Sequence, residues 1–407
     1  MTTLHPFLAH RLIGTGTSVF SEMSALAAKH HAINLGQGFP DFPGPPWIKA
    51  AAEEAIAGDI NQYAIAHGAP VLRQALAAHY SPRLGRDLDP NRDVVVTSGA
   101  TEAIFASVLG LVNPGDEVVI FEPFYDSYVP SIDFAGGVPR YVPLRQPDAD
   151  HAEWWYDAAE LEAACGPRTK LILVNTPHNP TGKVFTRAEL QHIAGLAQRW
   201  NTLVLSDEVY EYLTFDDAEH ISIATLPGMW ERTLTVSSAG KTFSLTGWKI
   251  GWVIAPPSLN AATRGTHQFI VFCSATPLQA GIAAALSLAD DHGYYDQFRT
   301  EYSQRRDVLL AALADAGLPA FAPRGTYFAL ADIRHLPYID DVAFCRALTV
   351  EAGVTAIPPT AFYSEGHREL GRHLARFAFC KRVETLEEAA HRLHRWASPT
   401  AQAAGKC

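Results

Sequence analysis

The segment SSAGKTFSLTGWK (residues 237–249) decides how the rest of the chain reads. It carries Lys241 and Lys249 between the β-branched run RTLTV (232–236) and the apolar run KIGWVIA (249–255). Lys241 falls just past a Ser/Gly turn, and its flanks Ala239, Gly240, Phe243 and Leu245 are small or apolar. A loop lysine is ordinarily only a surface charge. An amine enclosed by such flanks loses hydration, its charged form is penalised and its pKa falls. A lysine in that condition attacks a carbonyl and forms an imine. Lys249, ahead of a strand that reads as buried, is placed with Ser238 to pair with a phosphate.

Outward from this segment, short β-branched runs alternate with helical stretches. DVVVT (93–97), DEVVIF (116–121), TKLILVNTP (169–177) and NTLVLSDE (201–208) read as strands, and GATEAIFASVLGLV (99–112) as a helix. Thr186 and Glu189 have capping-box spacing ahead of Leu190, Ile193, Ala194 and Ala197, which recur at helical intervals. This alternation predicts an α/β fold with a mostly parallel central sheet covered by helices on both faces. The large domain is expected over residues 45–285. After Pro277 one long helical region is expected to about Ala316. GTYFALADI (325–333) and ARFAFCK (375–381) then read as short strands, and a last amphipathic helix begins near Glu384. Residues 286–407 are thus expected to form a smaller α+β domain. Residues 1–44 read as an arm packing with it, because INLGQGFPDFPGPP (33–46) is too rich in Gly and Pro for a core element.

Composition narrows the function classes. The chain has 407 residues, 48% hydrophobic and 18% charged, with a net charge of −11. That is globular, long enough for more than one domain, and too acidic without a basic run to favour nucleic acid or an anionic membrane. Cys165, Cys273, Cys345, Cys380 and Cys407 are scattered and odd in number, so a reduced cytoplasmic protein without disulfides or a cysteine metal site is expected. The start, MTTLHPFLAHRLIGTG, lacks the apolar core of a secretory signal, the C-terminal GKC is not a prenylation box, and no apolar run approaches a membrane span. His391 and His394 read as a solvated helix face, and the adjacent pair His30 and His31 suits no shared metal, so no metal is expected.

Four further segments carry chemistry. In VVVTSGATEAIF (94–105), Ser98, Gly99, Ala100 and Thr101 stand where a strand feeds a helix, a natural anion site. Alone, this segment reads first as an ordinary turn capped by Thr101. In SDEVYEYLTF (206–215), Asp207 follows a strand and Tyr210 lies three residues on. An acid there faces a ligand cation, or caps a helix, while the phenol donates to a ligand oxygen or simply packs. In VNTPHNPTGKVF (174–185), Asn179 precedes a proline, where a cis bond is conceivable, and stands at a ligand-facing strand end or in a plain loop. In HLARFAFCK (373–381), Arg376 either grips a carboxylate with its planar fork or snorkels at an edge.

Together the five segments supply a phosphate cradle, an acid for a ring nitrogen, a phenol, an imine-forming lysine and a carboxylate-gripping arginine. That set suits pyridoxal 5′-phosphate and an α-amino acid. NLGQGFPDF (34–42), NQY (61–63), SGATEA (98–103), EPFYDSY (122–128), NTPHNPTGKVF (175–185), SDEVYE (206–211), SSAGKTFSLTGWKIGW (237–252), GTYF (325–328) and RFAFCK (376–381) resemble the fold-type I, class I/II aminotransferases. They are similar to the subgroup of kynurenine, glutamine–phenylpyruvate and bacterial methionine aminotransferases. The resemblance runs from about Leu12 to Trp396, and the lysine segment and the NTPHNPTG loop are its most specific parts.

The resemblance implies roles. Lys241 anchors the cofactor covalently and then moves the substrate's Cα proton. Asp207 keeps the pyridine nitrogen protonated, Tyr210 and Asn179 bond the ring oxygen, and Tyr125 stacks on the ring. Ala100, Thr101, Ser238 and Lys249 surround the phosphate. Arg376 takes the α-carboxylate, with Asn179 beside it and the Gly38 backbone closing over it. The resemblance also implies a homodimer in which Tyr63 reaches the neighbour's phosphate and Phe272 crosses into the neighbouring site. Where some relatives have an aromatic residue after Ala100, this chain has Thr101.

Phe20, Tyr63, Tyr125 and Phe272 suggest an apolar, aromatic-lined pocket, without a second arginine for a distal carboxylate. Methionine, phenylalanine, tyrosine, tryptophan, kynurenine, leucine or glutamine are the expected donors, with a 2-oxo acid as acceptor in a ping-pong reaction. TGTSVFSEMSALA (15–27) and VFCSATPLQ (271–279) lean toward the methionine-type relatives. A cysteine-conjugate β-lyase would use the same lysine. A non-catalytic regulator would need an added DNA-binding domain, for which the chain leaves no room before residue 12 or after 396. A nicotinamide dehydrogenase is disfavoured because GTGTSV (14–19) lacks the third glycine and a preceding strand.

Overall fold

The computed structural model describes Phe7, residues 9–12 and residues 18–398. Expectations resting on the extreme N-terminus, on Gly14 and on Cys407 lie outside those residues. The strands in chain order are β1 (Ile33–Asn34), β2 (Val94–Thr97), β3 (Glu117–Glu122), β4 (Val138–Arg145), β5 (Trp155–Tyr156), β6 (Thr169–Asn175), β7 (Leu203–Asp207), β8 (Thr233–Ser238), β9 (Gly251–Ile254), β10 (Ala320–Phe321), β11 (Phe328–Asp332), β12 (Val354–Thr355) and β13 (Leu374–Ala378).

One large sheet has the order β2-β9-β8-β7-β6-β3-β4-β5. β8, β7, β6, β3 and β4 pair in parallel, whereas β9 runs against both β2 and β8, and β5 against β4. The sheet is therefore mixed, with its parallel part at the centre, and helices cover both faces. Alternation along each strand shows how. Val94, Val96, Trp252 and Ile254 join Ile48, Leu72, Leu76, Ile282 and Leu286 from helices Pro46–Ala57, Pro70–Leu84 and Thr276–Leu288 on one face. Val95 and Val253 point the other way, onto Ala103, Ile104 and Val108 of helix Gly99–Leu111. Both faces being covered, the strands are near-continuous apolar runs rather than alternating ones.

A second core gathers the three-stranded antiparallel sheet β10-β11-β13, the pair β1-β12, and helices Tyr294–Asp315, Asp341–Glu351 and Val383–Ala397. Two expectations are corrected here. The single helical region after Pro277 is two helices, Thr276–Leu288 and Tyr294–Asp315, separated at Gly293, which has φ 60°. The first packs in the large-sheet core and the second in the other core, so the chain must turn, and glycine adopts that turn without a Cβ clash. The Gly/Pro-rich stretch 33–46 is not all loop. Ile33–Asn34 pairs in parallel with Val354–Thr355, and Leu35 beside it is fully buried. Its partner lies more than three hundred residues away, so no local pattern announces it. The capping box at Thr186 and Glu189 forms, with both reciprocal bonds made.

Candidate active site

Parallel strands deliver their last residues to one edge of the sheet. Asn175 ends β6, Asp207 ends β7 and Ser238 ends β8, with Asn175 and Asp207 directly paired. Above them a cleft of about 340 Å³ opens between the two cores, lined by Phe20, Gly38, Ala100, Thr101, Tyr125, Asn179, Asp207, Tyr210, Ser238, Lys241, Lys249 and Arg376 among others. Twelve candidate site residues, scattered over most of the chain, thus share one cleft.

Lys241 stands on the helical turn Ala239–Thr242 that follows β8. Its Nζ donates to the Tyr327 hydroxyl at 2.7 Å and to the Gly38 carbonyl at 3.4 Å, and the Tyr327 hydroxyl donates to that same carbonyl at 2.6 Å. Burial lowers the Lys241 pKa to about 8, with Lys249 and Arg376 acting in the same sense and Cys380 and Asp207 opposing. A usable fraction of neutral amine therefore exists near neutral pH.

Asp207 is fully enclosed, and burial raises its pKa to about 6 against the hydrogen bonds from the Tyr128 hydroxyl and the Val209 N–H. The Tyr128 hydroxyl donates to Oδ2 at 2.6 Å. The carboxyl is thus ionised at pH 7 and poised toward a cation. Tyr210 meets Tyr327 edge-on, with centroids 5.2 Å apart, and burial raises its pKa. Asn179 is fixed from behind, its N–H donating to Asn175 Oδ1 at 2.7 Å, while Asn175 Nδ2 donates to the Asp207 carbonyl at 2.9 Å. The Asn179–Pro180 bond is cis, as are Thr176–Pro177 and Glu122–Pro123.

The strand–helix junction after β2 forms a cradle. Gly99 has φ 81°, and a Cβ there would lie 3.1 Å from Lys249 Nζ, so the second lysine reaches the helix start. A Cβ on Gly251 would lie 2.5 Å from the Gly99 carbonyl carbon, so a glycine on β9 lets the backbones meet. The N-cap position of helix Gly99–Leu111 is held by Ser98 rather than Thr101, without a side-chain cap bond, and the Ser98 N–H donates to the Glu102 side chain at 2.9 Å. Thr101 instead turns its hydroxyl to within 3.4 Å of the Tyr125 hydroxyl.

Arg376 lies in the middle of β13, opposite Leu330. Its Nη1 donates to Asn179 Oδ1 at 3.2 Å and Nη2 to the Gly36 carbonyl at 2.8 Å, while its buried Nε has no hydrogen-bond partner among the described residues. Phe20, Phe328 and Phe362 enclose the guanidinium at 5.1, 4.2 and 5.0 Å. Burial lowers its pKa to about 10, which leaves it a cation at neutral pH. A Cβ on Gly38 would meet the Phe328 ring at 2.6 Å, so the loop closes over the cleft only as glycine.

Tyr63 and Phe272 do not join this cleft. They pack edge-on against each other at 5.3 Å on the surface, 83% and 46% exposed, near the exposed Phe269 and Ile270. Sequence reasoning missed Tyr128, Asn175, Tyr327, Phe328 and Asp126. Tyr128 and Tyr327 sit inside quoted motifs, EPFYDSY and GTYF, but which face they present is a tertiary fact. His391 and His394 are exposed, and no group of His, Cys, Asp and Glu among the described residues is arranged to hold a metal. No helix among them is long and apolar enough to cross a membrane.

With this geometry in hand, comparison with known proteins is specific. The family model described as aminotransferase class I and II matches residues 30–393. Kynurenine–oxoglutarate transaminase of Dictyostelium discoideum is 43% identical, covering 92% of this chain and 93% of its own. The solved N-succinyldiaminopimelate aminotransferase of Mycobacterium tuberculosis is 46% identical with a TM-score of 0.91, over 95% of this chain and 99% of that one. Escherichia coli YbdL, identified as a methionine aminotransferase, is 39% identical with a TM-score of 0.90, over 96% of this chain and 100% of that one.

Proposed function

The chain belongs to the class I and II aminotransferases, which depend on pyridoxal 5′-phosphate, and we propose that it moves the amino group of uncharged α-amino acids to 2-oxo acids. Methionine, aromatic amino acids, kynurenine and glutamine are the donors we favour. The carrying observation is the surround of Arg376: a cation whose buried Nε has no partner among the described residues, enclosed by Phe20, Phe328 and Phe362. A substrate carboxylate completes the fork and sets the side chain against aromatic rings. The cations lining the cleft are Lys241, Lys249 and Arg376, and the acids Asp126 and Asp207 lie among them.

The residues present suit the cofactor. The cradle fits a phosphate, with Lys249 Nζ at a glycine helix start and Ser238 at a strand end; Ala100 and Thr101 flank it. Asp207 suits a pyridinium nitrogen, Tyr210 and Asn179 a phenolic oxygen, and Tyr125 a ring face. When bound, the group supplies an aldehyde and an electron sink. The protein's residues do the rest. Lys241, partly neutral near pH 8, serves as nucleophile and then as the base that carries the substrate Cα proton. Tyr327 and the Gly38 carbonyl orient its amine. Arg376 and Asn179 fix the carboxylate, and the Gly38 loop excludes water.

We further read residues 45–285, 286–407 and 1–44 as large domain, small domain and arm, and the assembly as a cytoplasmic homodimer. The exposed side chains of Tyr63, Phe269, Ile270 and Phe272 support the dimer, because exposed aromatic and aliphatic side chains of this kind are what an interface covers. Tyr63 and Phe272 then belong to the neighbour's site. A second reading, N-succinyldiaminopimelate as donor, is favoured by the 46% identity to the mycobacterial enzyme. Steady-state kcat/KM for L-methionine, L-phenylalanine, L-kynurenine and N-succinyl-diaminopimelate, with 2-oxoglutarate as acceptor, decides between them. A preference for the succinylated donor by more than about tenfold sinks the first reading.

A further inference from the structure

Behind the phosphate cradle lies a buried ionic contact that the reaction scheme does not use. His267, on helix Pro257–Ile270, points Nδ1 at Glu102 Oε1 and Oε2 at 2.9 and 3.1 Å, and Nε2 at the Ala66 carbonyl at 2.7 Å. Its side chain is fully buried and that of Glu102 nearly so. A carboxylate and a carbonyl only accept, and neutral imidazole has a single N–H, so satisfying both contacts requires a proton on each nitrogen. Glu102 also accepts the Ser98 N–H at 2.9 Å.

The position of this pair matters. Ser98 stands at the N-cap position of helix Gly99–Leu111, whose first turn lines the cleft. A carboxylate at a helix start is attracted by the same partial positive charge that attracts a phosphate. Left uncancelled, Glu102 would repel a dianion arriving at that terminus. We propose that His267 is held as an imidazolium that cancels the Glu102 charge beneath the cradle, and that it is thereby a positioning residue for the cofactor phosphate. The proposal rests on the cradle assignment given above.

Surrounding groups agree. Burial depresses His267, but the Glu102 hydrogen bond and charge and the Ala66 carbonyl outweigh it and hold the imidazole above its ordinary pKa. The neighbouring His67 is pushed down to about 4 by burial and by Arg264, Arg73 and His267, so it stays neutral and does not compete for Glu102. The Ala66 contact gives the pair a second reach. Segment 61–69 carries Tyr63 and is pinned by Thr276, which accepts from the Ala64 N–H and donates to the Gln62 carbonyl. One imidazolium therefore ties the chain's own cradle to the strip that bears Tyr63.

The test measures binding of pyridoxamine 5′-phosphate, which makes no covalent bond to Lys241, and of pyridoxamine, which lacks the phosphate, to cofactor-free protein by calorimetry. His267→Asn is expected to weaken the phosphorylated ligand by about tenfold and leave pyridoxamine within about twofold. The double variant His267→Asn with Glu102→Gln is expected to recover to within about threefold of the unaltered protein. Equal losses for both ligands, or no recovery in the double variant, would mean that His267 only packs, and would overturn the proposal. Should His267→Asn not fold, Glu102→Gln alone serves: it is expected to bind the phosphorylated ligand at least as tightly, and a loss of about tenfold refutes the idea. If the unaltered protein prefers neither ligand, or Lys249→Ala costs nothing, the cradle assignment itself fails.

Discussion

Tyr128→Phe isolates one hydrogen bond at the bottom of the cleft. The lost phenol O–H donates to Asp207 Oδ2 at 2.6 Å, and both groups are buried. A hydrogen bond to a buried charge is worth roughly 1.5–3 kcal/mol, equivalent to about one to two pKa units on the acceptor. Asp207, at about 6 in the native protein, is therefore expected at about 7 to 8 in the variant. The sign follows from burial: the folded value already lies above the ordinary carboxylate range, so Asp207 takes up its proton as pH falls through the folded value. Losing the donor moves that uptake to higher pH. Cofactor binding by the cofactor-free protein needs the ionised carboxylate, so the pH dependence of pyridoxal 5′-phosphate affinity reads the change. The acid-side break is expected near pH 6 in the native protein and about one to two units higher in the variant. Affinities should differ by about tenfold around pH 6.5 and converge above pH 9, where both carboxyls are ionised. Titration of Lys241 is common to both proteins and cancels. An unchanged break, or a constant offset at every pH, would refute the reasoning and reduce Tyr128 to a packing residue.

Lys241→Ala should lose transamination by at least about a thousandfold while still binding pyridoxamine 5′-phosphate, checked by following oxo-acid formation beside calorimetry. Arg376→Lys replaces a planar fork with a point charge and should lower kcat/KM by about thirtyfold or more, equally for methionine and phenylalanine; a loss confined to one donor would contradict carboxylate binding. Gly251→Ala puts a Cβ 2.5 Å from the Gly99 carbonyl carbon, so it should displace the cradle, weaken cofactor binding by about tenfold or more and lower the melting temperature. Thr186→Ala removes a formed capping box far from the cleft and should cost about 1 kcal/mol of stability in urea unfolding with kcat unchanged.

The candidate site was legible wherever its chemistry is local. Lys241 among small and apolar flanks stands out alone, whereas the small-residue junction at Ser98–Thr101 and the Asn179 loop gain meaning only beside the other segments, although each turn or helix start is set by residues a few positions apart. Strand and helix sequence carried the α/β alternation for the same reason: apolar period and caps are short-range properties. Thr101 was misread as the cap because a hydroxyl one turn into a helix and one at its boundary look alike in sequence, and Glu102, which bonds the Ser98 N–H, becomes decisive only when the backbone is in place.

What the amino-acid sequence determined by itself was therefore which groups this protein possesses and the local backbone that presents them: a desolvated lysine, an acid at a strand end, a glycine cradle and an arginine in an apolar strand. What the tertiary structure decided was which of them meet. Arg376 reaches Asn179 across 197 residues, His267 reaches Glu102 across 165, and Tyr128 reaches Asp207 across 79. Tyr63 and Phe272, which the resemblance assigns to a neighbouring subunit's site, pack together on the surface of this chain. The reason is physical. Side-chain identity sets short-range preference and intrinsic reactivity, whereas strand order, register and the face a residue presents depend on packing two cores against one another, and a shift of a single residue in register would turn a strand residue such as Arg376 away from the cleft.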